Sequence, residues 1–315
     1  MTTPSVSVVI PTYNRLRTVG RAIDSVLGQT RPPEQIVVVD DGSEDGTSVA
    51  LRQRYGDAIV LLTQPNRGVA AARNAGIAAA TGELIAFLDS DDYWLPGKLE
   101  SQLAVMADPS IVLSAANWRR GEHGAAAFDG VYPSGGVTVF DDPLLPLSRF
   151  EGHRLILSTW VARRQALLRV GCFDERMKVA EDSRLLFRLA FEGRFAVIPE
   201  VGMIFSDGDE ATRLTRPKDH RYRWQLAALS LEFLTEASIR AHDRPFEVQR
   251  RIRRLLAYFM RTHAEHLLMT GRTQLGRRRA LEALLLDPLD PRGLAAVVMG
   301  LFPAAARRRM KRIEA

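Results

Sequence analysis

The chain of 315 residues contains one cysteine, Cys172. An internal disulfide is excluded, and a reducing compartment, by default the cytosol, is expected. Cys172 reads as a small buried hydrophobe, with a reactive thiol as the alternative. No apolar run is long enough to span a bilayer. The N-terminus enters a strand-like run by Val6 with neither a charged leader nor a long apolar segment, so no signal peptide is expected. A glycine-rich phosphate loop is missing from the first strand end, where residues 11–15 read Pro-Thr-Tyr-Asn-Arg. That absence weighs against a nucleotidyltransferase, which would more typically show one.

What is present is ordinary globular composition, 46% apolar and 25% charged, enough chain for one sizeable α/β domain and an extension. The net charge of +6 conceals an asymmetry. Residues 1–219 hold 24 Lys and Arg against 28 Asp and Glu, whereas residues 220–315 hold 19 against 9. The basic tail is directed at something anionic, such as a membrane surface, a lipid-linked phosphate or nucleic acid, or it is a solvated Arg-rich face. The acidic first part argues against extensive nucleic-acid contact, and no nucleic-acid partner is expected.

Short apolar runs at 5–10, 35–40, 59–63, 84–89 and 111–116 predict strands. Segments 19–27, 47–54, 69–80 and 98–106 predict the helices between them. Such alternation implies an α/β fold, a mostly parallel sheet covered by helices on both faces. In open sheets of this kind ligands bind beyond the carboxyl ends of the strands. Three of those ends are unusually polar: residues 11–15, Asp40-Asp41-Gly42-Ser43, and Asp89-Ser90-Asp91-Asp92. If the last segment stays extended, Asp89 and Asp91 project together while Ser90 points away. Two such carboxylates suit a hard cation, Mg²⁺ or Mn²⁺, that also binds a substrate's phosphates. Tyr13 offers a ring face to a base, and Asp41 an acceptor for a base edge or a ribose hydroxyl. Each segment is also ordinary turn chemistry.

Taken together, these segments resemble family 2 glycosyltransferases. The likeness rests on residues 8–15 and 39–47, on Asn66-Arg67-Gly68 with Ala72-Arg73-Asn74-Ala75-Gly76, and on Phe87-Leu88-Asp89-Ser90-Asp91-Asp92. Gly171-Cys172-Phe173-Asp174-Glu175 and Ala180-Glu181-Asp182 extend it, over roughly residues 5–205. The resemblance implies a GT-A fold, with residues 1–219 as the catalytic domain, 1–116 its nucleotide-binding half and 117–219 its acceptor half. It implies an inverting enzyme that uses a nucleotide-diphosphate sugar, with UDP favoured. The acceptor would be a hydroxyl of a glycan or a lipid-linked molecule, in cell-surface polysaccharide or glycolipid synthesis. By position, Pro11, Thr12, Tyr13, Asp41 and Arg73 belong to the donor pocket, with Arg15 and Ser90 beside them. Asp89 and Asp91 match the family's Asp-x-Asp, Asp91 being the favoured direct ligand of Mn²⁺ or Mg²⁺. Asp182 matches the catalytic base, with Glu181 as base or partner.

Each assignment has a competitor. Asp182 precedes a Leu-rich helix that it would cap, and Arg73 could be a helix-surface arginine. Trp160 could stack on a sugar or sit in the core. Residues 119–151 read as a variable insertion near the acceptor. After Phe205 no histidine is available, although relatives place an Arg and a His there; Arg213, Asp207 or Asp209 could substitute. The other functional classes are a nucleotidyltransferase and a non-catalytic nucleotide-sugar-binding module.

Residues 220–315 read as a basic helical extension, with helices at 224–239, 246–268, 273–286 and 294–313, the last kinked at Pro303. Its apolar half precedes Arg307-Arg308-Arg309-Met310-Lys311-Arg312. Such a segment can lie peripherally on the inner face of an anionic cytoplasmic membrane or pack on its neighbours. His263 and His266 lie one turn apart with no third ligand nearby, and read as structural.

Overall fold

The protein is described by a computed structural model for residues 4–128, 136–148, 155–206 and 220–302. It divides into two compact units, Met1–Pro143 with Glu151–Thr212, and Leu144–Phe150 with Arg213–Ala315.

The first unit begins β1 (Val6–Thr12), α1 (Val19–Leu27), β2 (Gln35–Asp40), α2 (Thr47–Tyr55), β3 (Val60–Thr63), α3 (Val69–Ala79) and β4 (Leu84–Phe87). These four strands are parallel, in the order β3-β2-β1-β4. β1 is buried along its whole length because helices cover both faces. Val6, Val8 and Ile10 face the cluster that includes Val19, Ile23 and Val26 of α1. Val9 faces α3, which lies so close that a Cβ at Gly76 would sit 2.4 Å from Val9 Cγ1. Glycine is required there by approach, not by φ.

β1 pairs with β2 up to Thr12 but with β4 only up to Val9. From Ile10 onward the β4 side of β1 has no strand partner, so Pro11, which has no N–H to donate, sits there without breaking a ladder. The strand order also reverses at β1, which makes the gap between the ends of β1 and β4 the crevice where open sheets bind ligands.

The chain continues through β5 (Tyr93–Trp94), α4 (Lys98–Met106), β6 (Ile111–Arg120), β7 (Thr138–Phe140), α5 (Leu144–Leu147), β8 (Trp160–Arg163), α6 (Arg164–Arg169), α7 (Glu181–Leu189) and β9 (Arg194–Phe205). β8 joins β4 antiparallel and extends the sheet as β8-β6-β9-β5, with β7 also on β9. The stretch expected as an insertion from residue 119 is therefore partly sheet. β6 runs to Arg120, and β7 pairs Thr138, Val139 and Phe140 with Val197, Ala196 and Phe195. A three-residue strand is too short to show a period in sequence.

The second unit holds α5 and the helices α8 (His220–Arg240), α9 (Phe246–Met269), α10 (Thr273–Leu286) and α11 (Pro291–Leu301). Pro245 precedes α9, Gly271 turns the chain at φ 88°, and Asp290 caps α11 by accepting the Arg292 N–H. α11 starts three residues earlier than expected, because Asp290-Pro291 is a helix start, and it ends at Leu301. Pro303 and residues 307–312 lie outside the described residues. α9, α10 and α11 meet on Ala264, Ala280 and Ala296. His266 stacks on Trp224 with ring centroids 4.5 Å apart, a packing role.

Candidate active site

The loops after β1 and β2 are locked to each other. Asn14, at φ 52°, donates its N–H to Ser43 Oγ at 2.8 Å, and its side-chain oxygen accepts the Glu44 N–H at 2.9 Å. Asp40 accepts the Ser43 N–H at 2.9 Å and the Ser48 hydroxyl. Asp41 is buried and accepts from Gln64 Nε2 at 2.7 Å, Arg67 N at 3.0 Å and Gly68 N at 2.8 Å. A carboxylate offers about four acceptor sites, of which the described residues fill three at Asp41. Thr12 Oγ1 is buried with no hydrogen-bond partner, while the Tyr13 ring is exposed. Both lie at the crevice end of β1.

β4 ends at Phe87, and residues 89–92 form a turn closed by the Asp92 N–H donating to Asp89 O at 3.1 Å. The extended reading of this segment, with Asp89 and Asp91 side by side, is corrected: the Asp-Ser-Asp-Asp composition overrides the apolar run before it. Asp89 accepts from Arg73 Nη2 at 2.8 Å, and Asp91 stands 3.6 Å from Arg15 Nη2. Ser90 is buried. The turn is fastened from below by Ser158, whose Oγ accepts the Asp89 N–H at 3.1 Å and donates to Asp92 Oδ2 at 2.8 Å. Ser206 N donates to Asp92 Oδ1 at 3.2 Å, and Arg21 bonds both Asp91 O and Ser206 Oγ. Burial, then the charges of Asp89 and Asp91, push the Asp92 carboxyl well up.

Arg73 joins this turn to α7. It is 5% exposed, which excludes the helix-surface reading, and it donates Nη1 to Glu181 Oε1 at 2.6 Å while Nη2 holds Asp89. Ala180 precedes α7 at φ 62°, and Glu181 and Asp182 occupy its first turn. Asp182 is thus inside the helix and not its cap, although its Oδ1 accepts the Ser183 N–H at 2.6 Å. Burial, followed by the Glu181 charge, pushes the Asp182 carboxyl up to about 6, against the pull of Arg73.

Asn74 secures the neighbouring segment by exchanging hydrogen bonds with the backbone of Phe173 at 2.9 and 3.0 Å. Cys172, at φ 55°, is only partly buried, and burial pushes its thiol up, away from the reactive thiolate. Trp160 is fully buried and donates Nε1 to Leu155 O at 2.8 Å, so it belongs to the core and not to a sugar platform. Asp207, Asp209 and Arg213 lie outside the described residues.

Among the described residues no three His, Cys, Asp or Glu converge as a metal cage. Magnesium and manganese need fewer protein ligands when phosphate oxygens complete the shell, so the donor chemistry of the acid turn fits. Asp91 stands 3.6 Å from Arg15, while Asp89 is engaged at 2.8 Å by a buried guanidinium. Arg21, Asn74, Asp92 and Ser158 were given no role at this site from sequence. Asp92 stood in the acidic cluster and Asn74 in the motif around Arg73, while Ser158-Thr159-Trp160-Val161 resembles the family's acceptor-lining strand and gives no sign that Ser158 reaches the turn from 69 residues away.

The profile of the family described as Glycosyl transferase family 2 matches residues 7–133. The UDP-Glc:alpha-D-GlcNAc-diphosphoundecaprenol beta-1,3-glucosyltransferase WfgD of Escherichia coli is 40% identical over 114 residues, 36% of this chain and 45% of the relative. The putative teichuronic acid biosynthesis glycosyltransferase TuaG of Bacillus subtilis is 41% identical over 114 residues, 35% of this chain and 45% of the relative. These matches span less than half of the length of either relative. Among solved structures, S. aureus TarS 1-349 in complex with UDP-GlcNAc has a TM-score of 0.59 at 18% identity, covering 98% of this chain and 92% of that one. The mannosyltransferase PcManGT from Pyrobaculum calidifontis, in complex with GDP-Man and Mn2+, has a TM-score of 0.58 at 20% identity, covering 97% and 86%. At such identities the structures establish the fold, the α/β sheet and C-terminal helices expected from the GT-A resemblance. Residues 7–133, which hold β1 to β6, the crevice loops and the acid turn, are thus the part of the chain that matches glycosyl transferase family 2.

Proposed function

We propose that the chain is an inverting, divalent-metal-dependent glycosyltransferase. It transfers a sugar from a nucleotide-diphosphate sugar, with UDP favoured, to a hydroxyl of a glycan or lipid-linked acceptor in cell-surface polysaccharide or glycolipid synthesis. The observation that carries this reading is the Arg73 bridge, which ties the acid turn at the end of β4 to the first turn of α7, where Asp182 has a raised carboxyl. The E. coli relative's name supports a lipid-diphosphate acceptor, the UDP-GlcNAc complex supports a uridine donor, and the GDP-Man and Mn2+ complex supports a divalent metal.

In this reading Tyr13 covers the base and the remaining acceptor site of Asp41 takes a base or ribose hydrogen. Thr12 Oγ1 gains its missing partner from the donor, with Pro11, Arg15 and Ser90 shaping the same end of the crevice. Asp91, with Asp89 as the second candidate ligand, would hold Mn²⁺ or Mg²⁺, which would supply positive charge against the negative charge developing on the departing diphosphate. Asp182 takes the proton of the attacking hydroxyl. A carboxyl at about 6 is ionised near neutrality and more basic than an ordinary aspartate, as a general base should be. Arg73 holds Glu181 and attracts the ionised Asp182, while an arginine in proteins does not itself exchange the proton.

Replacing Asp182 with Asn is expected to lower turnover by about 10²- to 10⁴-fold while leaving donor affinity almost unchanged. Retained turnover would remove Asp182 from the mechanism. A thermal-shift panel of nucleoside diphosphates with and without Mn²⁺ tests the donor class, because a ligand of the native state raises its melting temperature. A uridine-specific, Mn²⁺-dependent rise is expected, and a uniform lack of response would overturn the donor reading.

A further inference from the structure

We infer that the outward faces of α10 and α11 form a docking surface for a bilayer rich in anionic headgroups. Both helices are inside out. α11 buries Gly293, Ala296 and Gly300 on one face and exposes Leu294, Val298 and Leu301 on the other. α10 buries Gly276, Ala280 and Ala283 and leaves Leu285 80% exposed. In the turn between them Leu289 is 84% exposed, and Phe302 follows α11 in the same state. The inner seam requires its small residues, since a Cβ at Gly276 would lie 2.8 Å from Leu268 Cγ. The large apolar side chains therefore do not serve the helix packing. Large exposed apolar side chains set along the outer faces of two helices in contact mark an interaction surface.

Charge selects the occupant. Arg278 shares the outward face of α10 with Leu281 and Leu285, and Arg292 is exposed at the start of α11. Glu282, Asp287 and Asp290 are each paired with an arginine, to Arg278 and Arg279, to Arg254 and to Arg261. The sequence after Phe302 adds Arg307, Arg308, Arg309, Lys311 and Arg312. A second copy of the chain would bring these like charges together, whereas an anionic headgroup layer takes the cations and the leucines at once. No described helix is long and apolar enough to cross a membrane, so the helices lie in the interface plane. The lipid-linked acceptor proposed above gives this surface its purpose, and on that point the inference rests on that reading.

The test is sedimentation of the full chain with vesicles of phosphatidylcholine alone or mixed with phosphatidylglycerol, at low and high salt. Salt-sensitive binding to the mixed vesicles is expected, reduced about tenfold or more by Leu294→Glu with Val298→Glu. Leu285→Glu with Leu289→Glu provides a second pair should the first fail to fold, circular dichroism reporting folding. Neutralising Arg307, Arg308 and Arg309 is expected to remove most of the salt dependence. Unchanged binding in both folded pairs, or no binding by the intact chain, would overturn the inference. So would a dimer in light scattering that both pairs abolish, which would make the face a self-association surface. The nucleotide thermal shift separates the two readings: lost docking with an intact shift sinks this inference alone, and a lost shift with intact docking sinks the donor reading alone.

Discussion

Asp182 is held at about 6 by burial and by its neighbour Glu181, so its protonation falls inside an accessible pH range. Turnover is expected to rise with pH through that value and then level off, and a rate–pH profile flat well below it would exclude Asp182 as base. Stability moves the other way. Between the ordinary 3.8 and about 6 the folded carboxyl keeps a proton that the unfolded chain has released. The contribution of Asp182 is thus complete below that window and is lost as pH rises through it. Ser158 sets the second residue-scale expectation. Ser158→Ala strips the Asp89 N–H and Asp92 Oδ2 of their shared partner, at a cost of about 1–3 kcal/mol. It should also raise the Mn²⁺ concentration needed for half-maximal turnover severalfold, with Thr restoring it. A variant that melts lower yet keeps the same metal dependence would reduce Ser158 to a purely structural residue. Asp41, Asp89 and Asp91 stand out in sequence because they are acids following apolar runs, whereas Asp182 was marked as a candidate only by the family resemblance. Ser158 and Arg21 do not stand out, because a lone serine or arginine is chemically meaningful only once folding brings it to the turn.

The elements were read most reliably where periodicity is long. α1 shows Val19, Ala22, Ile23 and Val26 at helical spacing, and it forms where that spacing predicts. β4 was drawn two residues too long, since the turn preference of residues 89–92 stops it at Phe87. α4 contains what no pattern flagged: Lys98 is fully buried without a carboxylate partner among the described residues, its Nζ donating to Gln102 at 2.6 Å and lying 3.9 Å from the centre of the Trp94 ring. Burial holds its amine well below the ordinary 10.5. The unfolded chain then binds the extra proton, so stability rises with pH up to that ordinary value. Lys98→Met is expected to leave stability unchanged or raise it by about 1 kcal/mol at neutral pH and to flatten this slope. A loss of several kcal/mol in urea melts would show that the Gln102 and Trp94 contacts outweigh the desolvation.

At the scale of the molecule, two units carry opposite chemistry. The acidic, sheet-based unit gathers carboxylates around a crevice, and the helical unit carries the 19 Lys and Arg of residues 220–315 against 9 acids. Sequence alone determined the α/β alternation, the three polar strand ends and the charge asymmetry, because each is a local property of composition and period. Only the tertiary structure decided that Arg73 is a buried bridge, that Asp182 lies within its helix and that α10 and α11 turn leucines outward. Those outcomes depend on which distant segments come within hydrogen-bonding or packing distance, and no local pattern encodes that.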